Sequence, residues 1–582
     1  MKHPTLFEGV DVELGGGLAH VLSKAYSRLD DVRKTNIAVA VVISEILKTM
    51  IGPKGMSKML VTETGDVLVT SSGRAMLERL RVSHPVARGL VDVARVQGEL
   101  TGDGTKTAVV VAGALLREAE KLMDQKVHVT TIIEGYRKAA VKAVEVLERL
   151  AIRTSAENEE VIRSVARTFL RGRFNEDVQD HVADLMLKAV LLTHKGGKDA
   201  SIEDEVCFVK KAGSDVSASE LIRGVVICRE KPHPRMPSKM TNVKVALLNC
   251  SLQPFLRKSE EWKKEYLIGE EGRLAAFIKG ESEIYREIVG RVKRVGVSAV
   301  FCRKRISEKL VSCFASEGLL AFELVSEEDI ARLTRATGGR VVSYVNDLTE
   351  RDLGVARLVE FRKIAGDEVL VVEGGEGSTA VTLLLRGGTT EAVEELERMT
   401  RNGLKALSLA LKDGRILPGG GATEVEVSRE LRSFSRAFTG KEQLAIEAFA
   451  KAIETIPRII AENAGLKASD VLPDLYAKHA AGGRNFGVDV VKREVVDTVK
   501  AGLFDVFEVK RRAILAAYEF ATMILRVDDA VVAKTSELRK MEEEKVKERK
   551  RFLDEKIRKV LGKDEELMKV SKKLTSLSPA LD

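Results

Sequence analysis

Gly102-Asp103-Gly104-Thr105-Lys106-Thr107 runs directly into AVVVAGALLREAEKLM at 108–123, a stretch rich in helix formers and free of Pro. A glycine turn feeding a helix N-terminus offers unpaired backbone N–H groups and the positive end of the helix dipole, which together suit an anion. Asp103 sharpens this reading. A carboxylate repels a phosphate unless a cation lies between them, so the pairing points to a phosphate–Mg²⁺ site. An ordinary Asp-Gly turn with Thr105 capping the helix is the competing reading. Three more glycine turns follow the same logic: Ile51-Gly52-Pro53-Lys54-Gly55-Met56 closing a helix, Pro418-Gly419-Gly420-Gly421 opening one at Val425–Leu431, and Phe486-Gly487-Val488-Asp489. In the last, an acidic residue beside Gly is placed as a ribose-hydroxyl acceptor would be. A plain turn competes with each.

Elements must hold these turns in place. Thr35–Met50 and Pro85–Gln97 carry apolar residues at helical spacing, and Lys58–Thr70 alternates as a hairpin around Thr64-Gly65-Asp66. Long helical patterns return from about residue 417, over Lys441–Gly465 and Val509–Leu525. The middle differs. Val243–Cys250, Ser298–Cys302, Leu319–Val325 and Arg340–Tyr344 are short β-rich runs alternating with helical patterns such as Glu327–Thr337, the mark of an α/β module.

A chain of 582 residues is too long for one core, and 44% hydrophobic with 31% charged residues describes a soluble globular protein. MKHPTLFEGVDVELGGG lacks a signal-peptide pattern and no apolar run is long enough to span a bilayer, so a cytoplasmic location and no membrane partner are expected. The net charge of +8 is spread with Lys and Arg interleaved among Asp and Glu, which argues against nucleic-acid binding. Cys207, Cys228, Cys250, Cys302 and Cys313 form no close ligand pairs and read as small core residues in a reducing compartment. No zinc site is expected.

Taken in order, GPKGM at 52–56, GDGTKTAVVVAG at 102–113, IIEGYRKAA at 132–140, MP at 236–237 and LLLRGGT at 383–389 resemble one known pattern. PGGGATEVE at 418–426, KEQLAIEAFA at 441–450, ENAGL at 462–466, GVDV at 487–490 and MILRVDD at 523–529 continue it. Together they resemble the group II chaperonins, the thermosome and its eukaryotic cytosolic relatives, over about Thr35–Lys534. The resemblance implies a mixed α and α/β fold in three domains. A helical equatorial domain would comprise residues 1–151 and 417–534, a small intermediate hinge domain 152–222 and 381–416, and an α/β apical domain 223–380. The charged insertion at 251–296 would form a helical lid protrusion; its Trp262 reads as a packing residue or as a lid or client contact. Residues 535–582 have no counterpart in the family pattern. Their narrow apolar stripe, Leu553, Ile557, Val560 and Leu561, fits a frayed solvated helix, a partner-binding helix or a segment crowding the chamber.

The resemblance also assigns the site. Gly52 and Pro53 border the phosphates of ATP, Gly102, Asp103, Gly104 and Thr105 wrap them, and Asp103 holds Mg²⁺. Gly420 and Asp489 contact ribose, and Arg173 matches a Lys that senses the γ-phosphate, keeping the charge but changing its shape. Three positions depart from the pattern. Ser72 and Asn402 stand where the family carries the two Asp that orient and deprotonate the attacking water, and Lys106 replaces a phosphate-loop Thr. Asn can hydrogen-bond a water but cannot take its proton, and Ser72 is shorter and neutral. ATP binding is expected to survive while hydrolysis suffers, unless the register slips and Asp66 or Glu395 serves instead. The function implied is an ATP-dependent subunit enclosing unfolded protein in a double ring of identical or paralogous chains. The alternative is a structural or interaction subunit of such a ring without its own ATPase cycle.

Overall fold

A computed structural model describes residues 32–61, 67–80, 82, 84–194, 202–252, 284–375, 378 and 380–527. The hairpin tip with Asp66, most of the 251–296 insertion including Trp262, and the 535–582 tail lie outside the described residues.

The first helical stretch contains α1 (Val32–Lys48), a hairpin of β1 (Lys58–Val61) and β2 (Val67–Thr70), α2 (Gly73–Arg79), α3 (Pro85–Thr101), α4 (Thr105–Asp124) and α5 (Val129–Leu150). β1 and β2 pair antiparallel with Lys58 opposite Thr70 and Val61 opposite Val67. α4 is the central rod. Val109, Val110, Val111, Leu115 and Leu116 are all buried, so the helix is apolar nearly all round, as a helix enclosed by others must be. α1 and α5 each present one buried stripe to this core, that of α1 including Asn36 and Ser44 beside its apolar residues. β3 (Ile152–Arg153) then leads to α6 (Glu159–Leu170) and α7 (Glu176–His194).

β4 (Val206–Ala212) and β5 (Glu220–Ile222) come next, and β6 (Gly224–Ile227), β7 (Lys239–Leu248), β8 (Ala299–Cys302), α8 (Glu308–Ser316), β9 (Leu320–Phe322), α9 (Glu327–Thr337), β10 (Val341–Val342), β11 (Gly354–Ile364) and β12 (Asp367–Gly374) make the α/β part. A seven-stranded sheet runs β6-β12-β11-β7-β8-β9 with β10 also on β7. β7, β8 and β9 are mutually parallel, and their fully buried runs Val245–Leu248, Ala299–Cys302 and Leu320–Phe322 are the near-continuous apolar strands of a covered sheet. The β-rich runs expected at 243–250, 298–302 and 319–325 thus form strands. Arg340–Tyr344 shortens to the two residues of β10. The β11–β12 hairpin was not foreseen. It turns at Ala365 and Gly366, both with positive φ, the geometry of a tight hairpin turn but without the Asn-Gly or Asp-Gly that would have marked it.

β13 (Val381–Gly387) lies between β4 and β5 and feeds α10 (Thr390–Asp413), capped by the Thr389 side chain at one end and Gly414 at the other. β14 (Arg415–Pro418), α11 (Ala422–Ser435), α12 (Lys441–Ile453), α13 (Thr455–Asn463), α14 (Ala468–Ala480), β15 (Phe486–Asp489), β16 (Glu494–Asp497), β17 (Phe504–Val506) and α15 (Phe507–Leu525) complete the described chain. The single helix expected over Lys441–Gly465 is two, broken at Glu454. Pro457 sits in the first turn of the second helix, where its missing N–H costs little.

Buried apolar side chains gather into three large clusters. One joins Ile37–Leu147 to Leu417–Leu525, one spans Val225–Ala380, and one joins Ile162–Val206 to Val381–Ile416 and Phe504–Val509. The chain therefore goes out and returns twice. Of the five cysteines, Cys207 and Cys302 are buried, whereas Cys228 is exposed, contrary to the core role expected for all. Among the described residues no group of His, Cys, Asp and Glu could hold a metal by itself, and no helix is long and apolar enough to cross a membrane.

At the heart of the helical cluster, Tyr136 and Phe449 meet edge to face with ring centroids 5.6 Å apart, and the Tyr136 hydroxyl donates to the Leu115 carbonyl at 2.8 Å. Phe449→Ala should cost about 3–5 kcal/mol, read as a lowered midpoint in denaturant-induced loss of helical circular dichroism.

Candidate functional site

The phosphate loop is built by two helices meeting end to end. Gly102 ends α3 and Gly104 opens α4, with φ of 72° and 76°. Both need glycine for more than φ: a Cβ at Gly102 would lie 2.3 Å from the Asn402 carbonyl oxygen, and one at Gly104 2.9 Å from Val509 Cγ1. The Asp103 carbonyl between them accepts from Thr101 Oγ1 at 2.7 Å and Gln97 Nε2 at 3.2 Å, and Gln97 Nε2 also donates to the Val509 carbonyl at 3.1 Å. The loop's backbone is thereby fixed from below. The Asp103 residue is exposed. Thr105 does not cap the helix; Gly104 does, with no side-chain hydrogen bond, so the first amides of α4 keep their donors.

Around this loop a cleft holds about 1320 Å³ of empty space, its open mouth included, lined by Gly52, Pro53, Asp103, Gly104, Lys106, Arg173 and Gly420 among others. A second, smaller space of about 470 Å³, its open mouth likewise included, is lined by Ser72, Gly102, Asp103, Thr105, Lys106, Arg173, Glu395 and Asn402. Four segments far apart in sequence converge here. Asp103, Lys106 and Arg173 face both spaces. Ser72 Oγ accepts from the Ala75 amide at 3.3 Å and so caps α2. Asn402 lies two turns beyond Glu395 on α10.

Glu395 reaches the end of the β1–β2 hairpin. It accepts from Ser71 Oγ at 2.7 Å and Thr70 Oγ1 at 3.4 Å, and from Arg398 Nε at 3.0 Å. Lys106 Nζ donates to the Met50 carbonyl at 2.7 Å and the Ser71 carbonyl at 3.4 Å. Burial first, then the nearby Arg173 guanidinium, pull its pKa from 10.5 to about 8 against the attraction of Asp103 and Glu395. Burial also lowers Arg173, again opposed by Asp103 and Glu395, and its guanidinium lies over the Phe169 ring at 5.6 Å. The region is rich in cations.

Asp489 is placed differently from its companions. Its carboxylate is buried, accepts from Arg171 Nη2 at 2.7 and 2.9 Å, and accepts from the Val491 and Lys492 amides at 2.9 and 3.2 Å. Its acceptor capacity is already engaged. The cleft wall instead shows a carboxylate that sequence reasoning missed, Asp505, 3.1 Å from Lys510 Nζ, which also pairs with the buried Glu424. Burial raises the Asp505 pKa against the attraction of Lys510, and the two acids raise that of Lys510 against its own burial. No motif marks this trio, because its members come from a helix start, a strand and a second helix. Arg171 has no sequence signal beyond its place near Arg173.

The strand bearing Asp489 is anchored from behind by His479, whose side chain is fully buried between Glu426 Oε2 at 2.9 Å and the Phe486 carbonyl at 2.8 Å. Burial alone would raise Glu426, but His479 and Arg429 overcome it and bring its pKa from 4.5 to about 2. A carboxyl depressed on folding lends stability that is complete above its ordinary value and is lost as pH falls through the folded one. The helical unit should therefore weaken between pH 4.5 and 2, and Glu426→Gln should flatten that part of a stability–pH curve followed by circular dichroism.

Residues 43–535 match the TCP-1/cpn60 chaperonin family. The chain is 42% identical to a thermosome subunit of Methanopyrus kandleri over 518 residues, covering 88% of this chain and 94% of the relative. It is 41% identical to a thermosome subunit of Pyrococcus abyssi, covering 88% and 92%, and 40% identical to the thermosome subunit alpha of Archaeoglobus fulgidus, covering 88% and 93%. With an out-and-back chain around a glycine-loop cleft and likeness along nearly its whole length, this protein belongs to the TCP-1/cpn60 chaperonin family as a group II, thermosome-type subunit.

Proposed function

We propose that the chain binds Mg·ATP in the cleft around Gly102–Thr105 and hydrolyses it slowly, as one subunit of a chaperonin ring that encloses unfolded protein. The observation that carries this is the adjoining pair of spaces. One offers an anion-binding loop, and the other is lined by neutral Ser72 and Asn402 at the positions of the family's two water-handling carboxylates.

The residues present fit the ligand. Uncapped α4 amides and the helix dipole suit phosphates, Arg173 and Lys106 add positive charge at the same end, and the exposed Asp103 carboxylate is a hard oxygen donor for Mg²⁺. Bound Mg²⁺ would neutralise phosphate charge. Gly52, Pro53 and Gly420 shape the opposite walls. Asp505 offers ribose hydroxyls an acceptor on the cleft wall, whereas Asp489 serves once Arg171 releases it. Asn402 and Ser72 can hold a water but not take its proton. Glu395, the other carboxylate lining this space, is already tied to Ser71 and Arg398.

Ring assembly is supported by the β1–β2 hairpin, whose outward side chains Met59, Val61, Val67 and Val69 are 66, 65, 56 and 52% exposed. Such an apolar, two-stranded edge suits a neighbouring subunit, of this chain or a paralogue, adding strands to it. Client capture, cytoplasmic location and the domain limits given above belong to the same reading.

The test is phosphate release and electron microscopy on the purified chain. Losing a positioned general base costs about 10²–10⁴ in rate, so turnover should fall far below that of an intact thermosome. Two groups acting on one water behave as a unit. Ser72→Asp with Asn402→Asp should therefore restore most activity where either alone does little, and an aspartate in place of Ser72 can still cap α2. Asp103→Ala should weaken metal-dependent nucleotide binding. An ordinary family rate in the wild type, or no gain from the double restoration, overturns the catalytic reading. Leu68→Pro removes a donor opposite Leu60 and should shift native mass from rings towards smaller species; a wild type that stays monomeric, even mixed with paralogues, sinks the assembly reading.

A further inference from the structure

Lys106 is the second residue of α4, yet its side chain does not run out with the helix surface. It passes beside Gly73, where a Cβ would lie 2.5 Å from Lys106 Cγ and 3.5 Å from Cδ, so only a glycine leaves the path open. Its Nζ ends between two backbone carbonyls, Met50 at 2.7 Å and Ser71 at 3.4 Å. Met50 immediately precedes the Ile51–Met56 turn, and Ser71 follows β2. Three segments that surround the phosphate loop are thus joined by one side chain.

The rest of that turn is gripped in the same manner. Asn463 Nδ2 donates to the Lys48 carbonyl at 3.0 Å and the Ile51 carbonyl at 2.8 Å. Carbonyls at the end of α1 lack i→i+4 helical partners; that of Lys48 accepts from the Ile51 amide at 3.1 Å as well as from Asn463. Asn463 and Lys106 thus both add donors to this segment. An ammonium has three N–H donors, and carbonyls take two of these. Among the described residues no carboxylate forms an ion pair with it; Asp103 and Glu395 act at longer range.

We propose that Lys106 is a positioning residue. Its ammonium ties the Ile51–Met56 turn and the end of the β1–β2 hairpin to the helix carrying Gly102–Thr105, and so sets the cradle before any nucleotide arrives. A lysine acting as a phosphate ligand would keep its donors for phosphate; this one has committed two of three to the backbone. The functional meaning rests on the nucleotide reading above, but the strut itself does not.

Hydrogen exchange on the nucleotide-free full chain separates the two. Lys106→Met keeps length and loses every donor; Lys106→Gln keeps a neutral donor. Losing hydrogen bonds from a charged donor corresponds to roughly 10-fold or more in a local opening equilibrium. Exchange at residues 52–56 and 71–75 should therefore quicken by about that factor in the Met variant. Slow exchange across 108–122 should persist, showing an intact core. The affinity for a non-hydrolysable Mg·ATP analogue should fall in parallel, and Gln should recover part of both. Unchanged exchange at both segments in Lys106→Met overturns the proposal, whatever happens to affinity, and leaves Lys106 a phosphate ligand. Faster exchange in a protein whose wild type binds no analogue supports the strut and removes the nucleotide reading instead.

Discussion

The hydrogen bonds of Thr101 and Gln97 to the Asp103 carbonyl hold the junction on which the phosphate-loop geometry depends. They fix how α3 ends and α4 begins, and α4 is the rod around which the helical cluster packs. Because Gln97 also bonds the Val509 carbonyl, 412 residues further along the chain, the same junction ties α3 to the start of α15. The close approach of the Asn402 backbone to Gly102 then sets α10 against the loop. A side chain at Gly102 would push away the helix that carries Asn402.

Charge is distributed unevenly about this junction. On one side Lys510 lies between Glu424 and Asp505, so a buried cation is matched by two acids. On the other side Lys106 and Arg173 face each other with Asp103 and Glu395 as the nearby acids, and Glu395 already answers Arg398 and two hydroxyls. Burial lowers both cations because their compensation is incomplete. An anion entering here gains more than it would beside the matched trio. Ser72 and Asn402, which line the same space, are neutral and do not offset those cations.

Two of the links between the clusters are polar. Glu395 joins α10 to the hairpin, and Arg171, at the end of α6, closes on Asp489 of β15. Both contacts are hydrogen-bonded ion or dipole pairs rather than apolar packing. Such contacts can exchange partners with a polar ligand at small cost, whereas an interlocked apolar face cannot.

By itself the sequence determined the family pattern, the glycine turns, the helical ends and α/β middle, and the two neutral substitutions. Each is local: a turn needs particular residues at adjacent positions, and helix or strand shows as periodicity within a dozen residues. The break at Glu454 and the Ala365-Gly366 hairpin escaped notice because neither carries the usual local marks. Only the tertiary structure decided that Asp489 is engaged by Arg171, that Asp505, Lys510 and Glu424 form a trio at the cleft, that Thr105 leaves the capping to Gly104, and that Lys106 spans to Met50 and Ser71. The cap is a local matter; the other three share one physical reason. A side chain's partners are fixed by which backbone carbonyls and charges folding brings within about 3 Å, the reach of a hydrogen bond, and those partners lie tens to hundreds of residues away, where no spacing rule applies.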